Sequence, residues 1–282
     1  MILRGLALGA VLLAGTAAAQ PPAGPPPGMQ WLYGSGEGAA ASIQAYDAFR
    51  AYVLRRARAR PRHSVVLAEG STLAAPRFLP CGRRPLAVVL DVDETAIQNL
   101  GYEYDEALNR RSYDQDRWNR WERTGANAVL PMPGAVAALR AIRRAGVTVI
   151  FNSNRMAAHA AQTAAAIEGA GLGPAVHRRT LWLQNDIGQG SAKDPRRAEV
   201  SRRYCVIAMA GDQLGDFSDL FNARGLPIPE RRRAASSPPF AGLWGNGWFM
   251  LSNPVYGPSI RGTFDDVFPA DRRWSDPQGG ND

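Results

Sequence analysis

Two aspartates follow a short apolar run and have the residue types needed for nucleophilic and acid–base chemistry. Asp91 and Asp93 come directly after Leu86–Leu90, a run typical of a buried parallel strand. Burying two carboxylates is unfavourable unless a cation or another partner is present. One of them can act as an ionised nucleophile while the other, with a raised pKa, acts as a general acid and base. Helix capping by Asp93 or Thr95 is the alternative interpretation.

A hydroxyl, an amide and a guanidinium follow a second apolar run, residues 147–151. These groups belong to Ser153, Asn154 and Arg155, and a predicted helix begins shortly after them. A hydroxyl and the backbone N–H groups at a helix start suit phosphate oxygens. A simple cap for that helix is the alternative, and both roles can coexist.

Lys193 is the only lysine among the 33 Lys and Arg residues of the chain. It lies just before a predicted helix, where its ammonium can reach a phosphate as a point charge. A solvated surface lysine is the alternative. We favour the phosphate role, because a chain that uses arginine elsewhere is expected to keep a lysine where a guanidinium cannot replace it.

A further pair of carboxylates, Asp212 and Asp216, follows the apolar run at residues 205–209. Carboxylate oxygens suit Mg²⁺, which takes one or two carboxylates and keeps several waters. A turn followed by a helix cap is the alternative interpretation. The pair therefore marks a candidate metal site.

The elements that must position these groups are apolar runs alternating with helical segments. The predicted strands cover residues 86–90, 147–151, 180–183 and 205–209. The predicted helices cover residues 39–60, 133–145, 157–170 and 195–203. This alternation predicts an α/β fold with a parallel sheet, in which ligands bind beyond the carboxyl ends of the strands. A polar, aromatic stretch at residues 97–130 interrupts it and is expected to form a small cap over the sheet.

The order and spacing of these motifs resemble those of the haloacid dehalogenase-like (HAD) phosphohydrolases. More narrowly, the chain resembles the class C or "DDDD" acid phosphatases, whose lipoprotein members, of the e(P4) type, act as 5′-nucleotidases. The matching segments are DVDETAIQN (91–99), FNSNR (151–155), SAK (191–193), GDQLGDF (211–217) and NPVYG (253–257). The resemblance covers roughly residues 30–262. It implies a Rossmann-like, three-layer fold with a cap insertion after the first motif.

The resemblance also implies roles for individual residues. Asp91 would form an aspartyl-phosphate, and Asp93 would protonate the leaving group and then activate water. The catalytic set would be Asp91, Asp93, Ser153 and Lys193, and the metal set Asp91, the Asp93 backbone carbonyl, Asp212 and Asp216, holding Mg²⁺. Substrate-binding residues would be Asn154, Arg155, Trp118 and Tyr256, the two aromatic side chains stacking on a nucleotide base. Packing within the cap is the alternative for these aromatic residues.

Two departures from the family pattern bear on this prediction. Gln20 stands where many relatives carry a lipid-modified cysteine, so a lipid anchor is not expected. Gln98 replaces an acidic residue that often lies seven positions after the nucleophile. The implied fold also makes the first and fourth strands parallel neighbours, with Cys81 and Cys205 near their amino ends. We therefore expect a Cys81–Cys205 disulfide.

The N-terminal residues predict that the protein is exported and not anchored in a membrane. Residues 1–19 have the charged, apolar and small-residue regions of a signal peptide with cleavage near Ala19–Gln20, and the apolar run is too short to span a membrane. We expect a Pro/Gly-rich linker at 20–37, a single domain at 38–274 and a flexible tail at 275–282. The mature protein is expected to be secreted or periplasmic, without stable membrane insertion.

Composition narrows the class of protein further. The 282 residues are 45% hydrophobic and 21% charged, which excludes wholesale disorder and a fibrous protein. The net charge of +8 is carried by scattered arginines, which favours small anions over nucleic acid as partners. The expected substrate is a small phosphomonoester, with nucleoside 5′-monophosphates preferred and a homodimer left open. A non-catalytic phosphate- or nucleotide-binding protein on the same fold is the alternative, and Asp93 argues against a haloacid dehalogenase.

Overall fold

Apolar runs and helical segments alternate along the chain in a computed structural model, which describes residues 24–276. The strands are β1 (His63–Leu67), β2 (Phe78–Pro80), β3 (Leu86–Leu90), β4 (Ile97–Gln98), β5 (Leu130–Pro131), β6 (Thr148–Met156), β7 (Leu181–Gln184), β8 (Cys205–Gly211) and β9 (Trp248–Met250). The helices are α1 (Pro27–Met29), α2 (Gly36–Ala59), α3 (Leu100–Asn109), α4 (Gln115–Thr124), α5 (Ala135–Arg144), α6 (Ala160–Gly169), α7 (Asp194–Arg203), α8 (Ile228–Ser236) and α9 (Phe264–Val267). No helix among the described residues is long and apolar enough to cross a membrane.

The central sheet has five parallel strands in the order β7-β6-β3-β8-β9. Strands covered on both faces read as continuous apolar runs, and every residue of β8 is buried. The four strands predicted from the sequence are all present, and β3 and β8 are neighbours as expected. The fifth strand, β9, is a three-residue Trp-Phe-Met segment that was too short to predict from its pattern.

Helices and loops cover the two faces of the sheet and make three layers. Alternate residues of β3 point to opposite sides, so that Val88 and Leu90 enter one core while Ala87 and Val89 enter the other. The first core contains the apolar faces of α2, α5 and α6. The second contains β1, α7 and the aromatic cluster around the buried Trp248. This is the three-layer α/β architecture that the sequence predicts.

The segment expected to be a linker is helical over much of its length. Helix α1 is followed by a helical turn at Gln30–Gly34, and Met29 and Leu32 are buried. The Ser35 side chain then caps α2 by accepting a hydrogen bond from the backbone N–H of Gly38. The boundary predicted at residue 37 therefore falls inside ordered structure, because the segment carries apolar side chains that pack. The signal peptide and cleavage site predicted at 1–20, and the tail beyond 276, lie outside the described residues.

The two ends of the insertion at 97–130 are paired by a short antiparallel ladder between β4 and β5. Helices α3 and α4 lie between these strands and are joined by the buried guanidinium of Arg117. This group donates to Asp105, Glu106 and the hydroxyl of Tyr102. The cap is therefore a helical unit held by polar contacts as well as by its aromatic residues.

A disulfide joins Cys81 to Cys205, as expected. Both cysteines are buried, and Cys205 begins β8 opposite Leu86 at the start of β3. The bridge closes a separation of 124 residues in the chain. It thus fastens the segment before β3 to the neighbouring strand.

Candidate active site

A cavity of about 770 Å³ opens at the carboxyl ends of β3 and β8, beneath the cap. Its volume is typical of a small-molecule site. Its lining includes Asp91, Asp93, Asn154 and Asp212 at the carboxyl ends of strands, Lys193 at the start of α7, Asp216, and the cap residues Tyr102, Glu103, Tyr113 and Trp118. Acidic and aromatic side chains thus line one space.

Lys193 pairs with two carboxylates on the floor of this cavity. Its ammonium donates to Asp91 and, at 2.6 Å, to Asp216. Burial acts to lower the pKa of Lys193, but the charges of Asp216 and Asp91 outweigh it and raise that pKa. Lys193 is only 6% exposed, so the interpretation as a solvated surface lysine is excluded.

Asp91 directly follows the last residue of β3, and a backbone hydrogen bond holds it in place. Its N–H donates to the Ala210 carbonyl of β8 at 3.0 Å. Burial raises the pKa of the Asp91 carboxyl well above its usual value, Lys193 acts to lower it, and Asp216 and Asp212 raise it further. The ammonium is thus the group that favours an ionised carboxylate here.

Three carboxylates form a cluster that could hold a metal ion. Oxygens of Asp91, Asp212 and Asp216 all lie within 4.8 Å of one another. Burial and the charge of Asp216 raise the pKa of Asp212 to about 7. Within residues 24–276, Lys193 is the only ammonium that pairs with the cluster, and it contacts Asp91 and Asp216, so the three carboxylates outnumber the positive charge beside them. Oxygen donors with excess negative charge fit a divalent cation such as Mg²⁺.

Neighbouring groups hold the cluster in shape. Asp212 accepts from Thr95 at 3.0 Å and from Asn253 at 2.8 Å, so Thr95 binds the cluster and does not cap a helix. Gly211 is required by close approach, because a β-carbon at that position would lie 2.3 Å from the β-carbon of Asp216. Asn253 belongs to the NPVYG segment, and the sequence alone assigned no role to it.

Asp93 has surroundings quite different from those of Asp91. It accepts from Asn99 at 2.9 Å, from Arg155 at 2.9 Å and from the hydroxyl of Ser153 at 3.3 Å. Its side chain is 14% exposed and lines the cavity, whereas that of Arg155 is 2% exposed. The two carboxylates are therefore distinguished by their partners, an ammonium for one and a hydrogen-bonded guanidinium for the other.

The segment after β6 differs from its prediction. Strand β6 continues to Met156, and α6 begins only at Ala160, so Ser153 does not cap that helix. In an extended chain successive side chains alternate in direction. Asn154 lines the cavity, while Ser153 and Arg155 are buried and directed at Asp93. Arg155 was predicted to bind substrate, and its guanidinium contacts the neighbouring carboxylate of Asp93.

A buried arginine also holds the end of β6 in place. Arg196 of α7 donates to the Ser153 carbonyl at 3.1 Å and to the Asn154 side chain at 2.6 Å. Sequence reasoning missed Arg196, and its only signal was its spacing of three residues from Lys193 at the start of one helix. Helix α7 thus positions both the ammonium and the end of β6.

Several aromatic residues line the cavity. Trp118 lines the cavity, with its ring centroid 4.9 Å from that of Tyr102 and the Arg155 guanidinium 5.6 Å from its ring. Tyr113, which sequence reasoning did not single out, also lines the cavity and is 61% exposed. Tyr256 also lines the cavity, and its hydroxyl donates to Glu94.

Glu94 and Asn99 belong to the first motif, and sequence reasoning assigned them no role. Glu94 has a positive φ of 52°, is fully buried and accepts from the backbone N–H of Asn99 at 2.8 Å. Burial and the charge of Asp93 raise the pKa of Glu94 to about 7. A non-glycine residue in the left-handed region is strained and needs such surrounding contacts. Glu94 therefore fixes the turn that directs Asp93 toward the cavity.

Known proteins share this arrangement of elements. The model of a protein family described as HAD superfamily, subfamily IIIB (Acid phosphatase) matches residues 50–259. A solved structure of the class C acid phosphatase from Bacillus anthracis is similar, with 21% identity, a TM-score of 0.65, and 82% of this chain and 84% of that chain covered. A second structure of that phosphatase, with tungstate bound, matches with 22% identity, a TM-score of 0.65 and the same coverage. At this identity the structural likeness shows the fold.

Proposed function

Since this chain belongs to the subfamily IIIB acid phosphatases of the HAD superfamily and is a phosphomonoester hydrolase, we propose that it is a secreted, Mg²⁺-dependent enzyme acting through an aspartyl-phosphate. The expected substrates are small phosphomonoesters, with nucleoside 5′-monophosphates among them. The observation that carries the proposal is the pairing of Asp91 with the only lysine of the chain, beside a second carboxylate, Asp93, on the same cavity.

A divalent cation fits the acidic cluster for the reasons of charge and donor type given above. Asp91, Asp212 and Asp216 would hold it, with the backbone carbonyl of Asp93 as a further ligand. When bound, the cation supplies positive charge that offsets the charge developing on the phosphoryl oxygens.

The first step transfers the phosphoryl group to the protein. An oxygen of Asp91 attacks phosphorus, a bond forms between them, and the bond from phosphorus to the leaving alcohol breaks. Asp93 gives its proton to the leaving oxygen. Lys193 contributes a positive charge at the nucleophile and the transferring oxygens, and the cavity-lining Asn154 contributes a polar contact. Preorganised charge of this kind is the main source of catalysis in phosphoryl transfer.

The second step restores the enzyme. A water molecule attacks the same phosphorus, Asp93 accepts its proton, and the bond between phosphorus and Asp91 breaks. Inorganic phosphate leaves, and Asp93 is protonated again for the next cycle. Ser153 and Arg155 serve both steps by holding Asp93 through hydrogen bonds.

The cavity is larger than a phosphoryl group needs, which leaves room for an organic leaving group. Trp118 and Tyr256 lie on its walls and would contact a nucleotide base, and stacking of a base on an aromatic ring contributes ~1–3 kcal/mol. Secretion is supported by the signal-peptide pattern of residues 1–19 and by the disulfide, which suits an oxidising compartment.

One comparison tests the proposal. Phosphate release is measured from a nucleoside 5′-monophosphate and an aryl phosphate, with Mg²⁺ or with EDTA, for the wild type, Asp91→Asn and the matched surface variant Asp47→Asn. We expect hydrolysis only with Mg²⁺, and a loss of at least about 10³-fold in Asp91→Asn alone, because the nucleophile is removed. Metal-independent hydrolysis, or full activity of Asp91→Asn, contradicts the mechanism. Binding of phosphate esters without turnover would favour the non-catalytic alternative.

A further inference from the structure

Glu103 is a buried carboxyl group on the cap side of the cavity, and it takes no part in the mechanism above. It lies on α3, between Tyr102 and Glu106 along the cavity lining, and is only 3% exposed. Its backbone is satisfied within the helix, since its N–H donates to the Asn99 carbonyl at 3.1 Å. The helix thus fixes the backbone of Glu103 beside the cavity.

One oxygen of the Glu103 carboxyl, Oε2, is enclosed and has no hydrogen-bond partner within residues 24–276. Two other glutamates of the cap differ in this respect, because Glu106 accepts from Arg117 and Glu122 accepts from Met156 and His159. Leaving a buried polar group unpaired costs about 1–3 kcal/mol. Because Glu103 also lines the cavity, its carboxyl is placed to bond with a group bound there.

The charges around Glu103 determine which form of the carboxyl is present. Burial and the charges of Glu94 and Glu106 raise its pKa to about 9, Arg117 acts to lower that pKa, and Asp93 raises it further. The group is therefore an uncharged carboxylic acid near neutral pH. Such a group donates one hydrogen bond through its O–H and accepts others, which is the complement of an alcohol hydroxyl.

We propose that Glu103 is a specificity-determining residue that hydrogen-bonds a hydroxyl group on the leaving-group portion of the substrate, as a sugar phosphate would present. This inference rests on the proposed function, since it concerns the ester bound beside Asp91 and Asp93 in the same cavity. It predicts a preference for hydroxylated phosphomonoesters over esters of the same charge without a hydroxyl.

The test compares substrate preference rather than activity alone. The ratio of kcat/KM for a nucleoside 5′-monophosphate to kcat/KM for its 2′,3′-dideoxy analogue is measured in the wild type, Glu103→Leu, Glu103→Gln and the exposed-site control Glu37→Leu. Glu103→Leu should lower the ratio about tenfold, which corresponds to one hydrogen bond of ~1.4 kcal/mol. Glu103→Gln keeps a donor and an acceptor, so the ratio should stay within about threefold of the wild type. Glu37→Leu should leave the ratio unchanged.

Other results would overturn the inference. An unchanged ratio in Glu103→Leu, or equal losses on both substrates, means that Glu103 does not touch the hydroxyl. A lowered melting temperature with no change of ratio would instead indicate a structural partner, such as a buried water. A wild-type protein that releases phosphate from neither ester would contradict the proposed function itself, and this inference with it.

Discussion

Replacing Lys193 by arginine keeps the charge and tests whether the site needs a compact ammonium. The Nζ atom lies between carboxylates of Asp91 and Asp216 and is almost fully buried. A guanidinium is larger and planar, so it cannot occupy the same point between the two oxygens. We expect the variant to displace one carboxylate and to misplace the nucleophile.

The size of the effect follows from the contacts that are lost. Two hydrogen bonds to charged groups contribute ~1.5–3 kcal/mol each, or ~3–6 kcal/mol together. At a factor of ten per ~1.4 kcal/mol, kcat/KM should fall by roughly 10²–10⁴-fold. The charge is retained, so the protein should fold, with a loss of about 1–3 kcal/mol from overpacking.

The assay is kcat/KM for phosphate release at saturating Mg²⁺, with circular dichroism and chemical denaturation to confirm folding. The matched control is the reverse exchange at an exposed position, Arg202→Lys, whose side chain is 78% exposed and which should behave as the wild type. A folded Lys193→Arg enzyme with kcat/KM within tenfold of the wild type would refute the reasoning. The lone lysine would then be an accident of composition.

Three further predictions concern the supporting structure. Arg155→Met should lower kcat about 10²-fold with little change in KM, because Asp93 loses the guanidinium that orients it. The double variant Cys81→Ala/Cys205→Ala should lose roughly 4–5 kcal/mol in the free energy of unfolding, as expected for a long loop in the chain-entropy model. Glu103 should make the protein less stable as pH rises from its usual pKa of 4.5 to about 9, since the folded state keeps a proton that the unfolded chain releases. Glu103→Gln should therefore flatten the pH dependence of stability in that window.

Each of these predictions has its own control and its own contradicting result. For Arg155 the control is Arg50→Met on the surface of α2, and an equal fall in kcat for both variants would refute the orienting role. For the disulfide, a double variant whose free energy of unfolding lies within about 1 kcal/mol of the wild-type value would contradict the chain-entropy model. For Glu103, denaturation curves at several pH values that are parallel for wild type and variant would show that the carboxyl is already ionised in the folded protein.

The convergence of the site could be predicted because it follows from sheet topology. Asp91 and Asp212 each follow an apolar strand, and adjacent parallel strands bring their carboxyl ends together. The same topology anticipated the Cys81–Cys205 disulfide. These inferences needed the order of elements together with the strand arrangement that the resemblance to the HAD phosphohydrolases implies.

The directions and partners of individual side chains could not be predicted from the sequence in the same way. The continuation of β6 to Met156 turns Arg155 inward to Asp93, and no local signal distinguishes such a strand end from a loop. The burial of Glu103 depends on how α3 sits over the sheet, which is a tertiary contact. The early helical turns around Met29 were hidden by the Pro/Gly-rich composition that precedes them.

The central claim is that Asp91 carries the phosphoryl group during turnover, and trapping that intermediate tests it most directly. Wild-type protein is mixed with a phosphate-labelled ester and Mg²⁺, quenched with acid within milliseconds, and digested for mass spectrometry. We predict label on the peptide that contains Asp91 in the wild type and none in Asp91→Asn. Rapid turnover by the wild type with no label on Asp91, or label that persists in Asp91→Asn, would contradict the account.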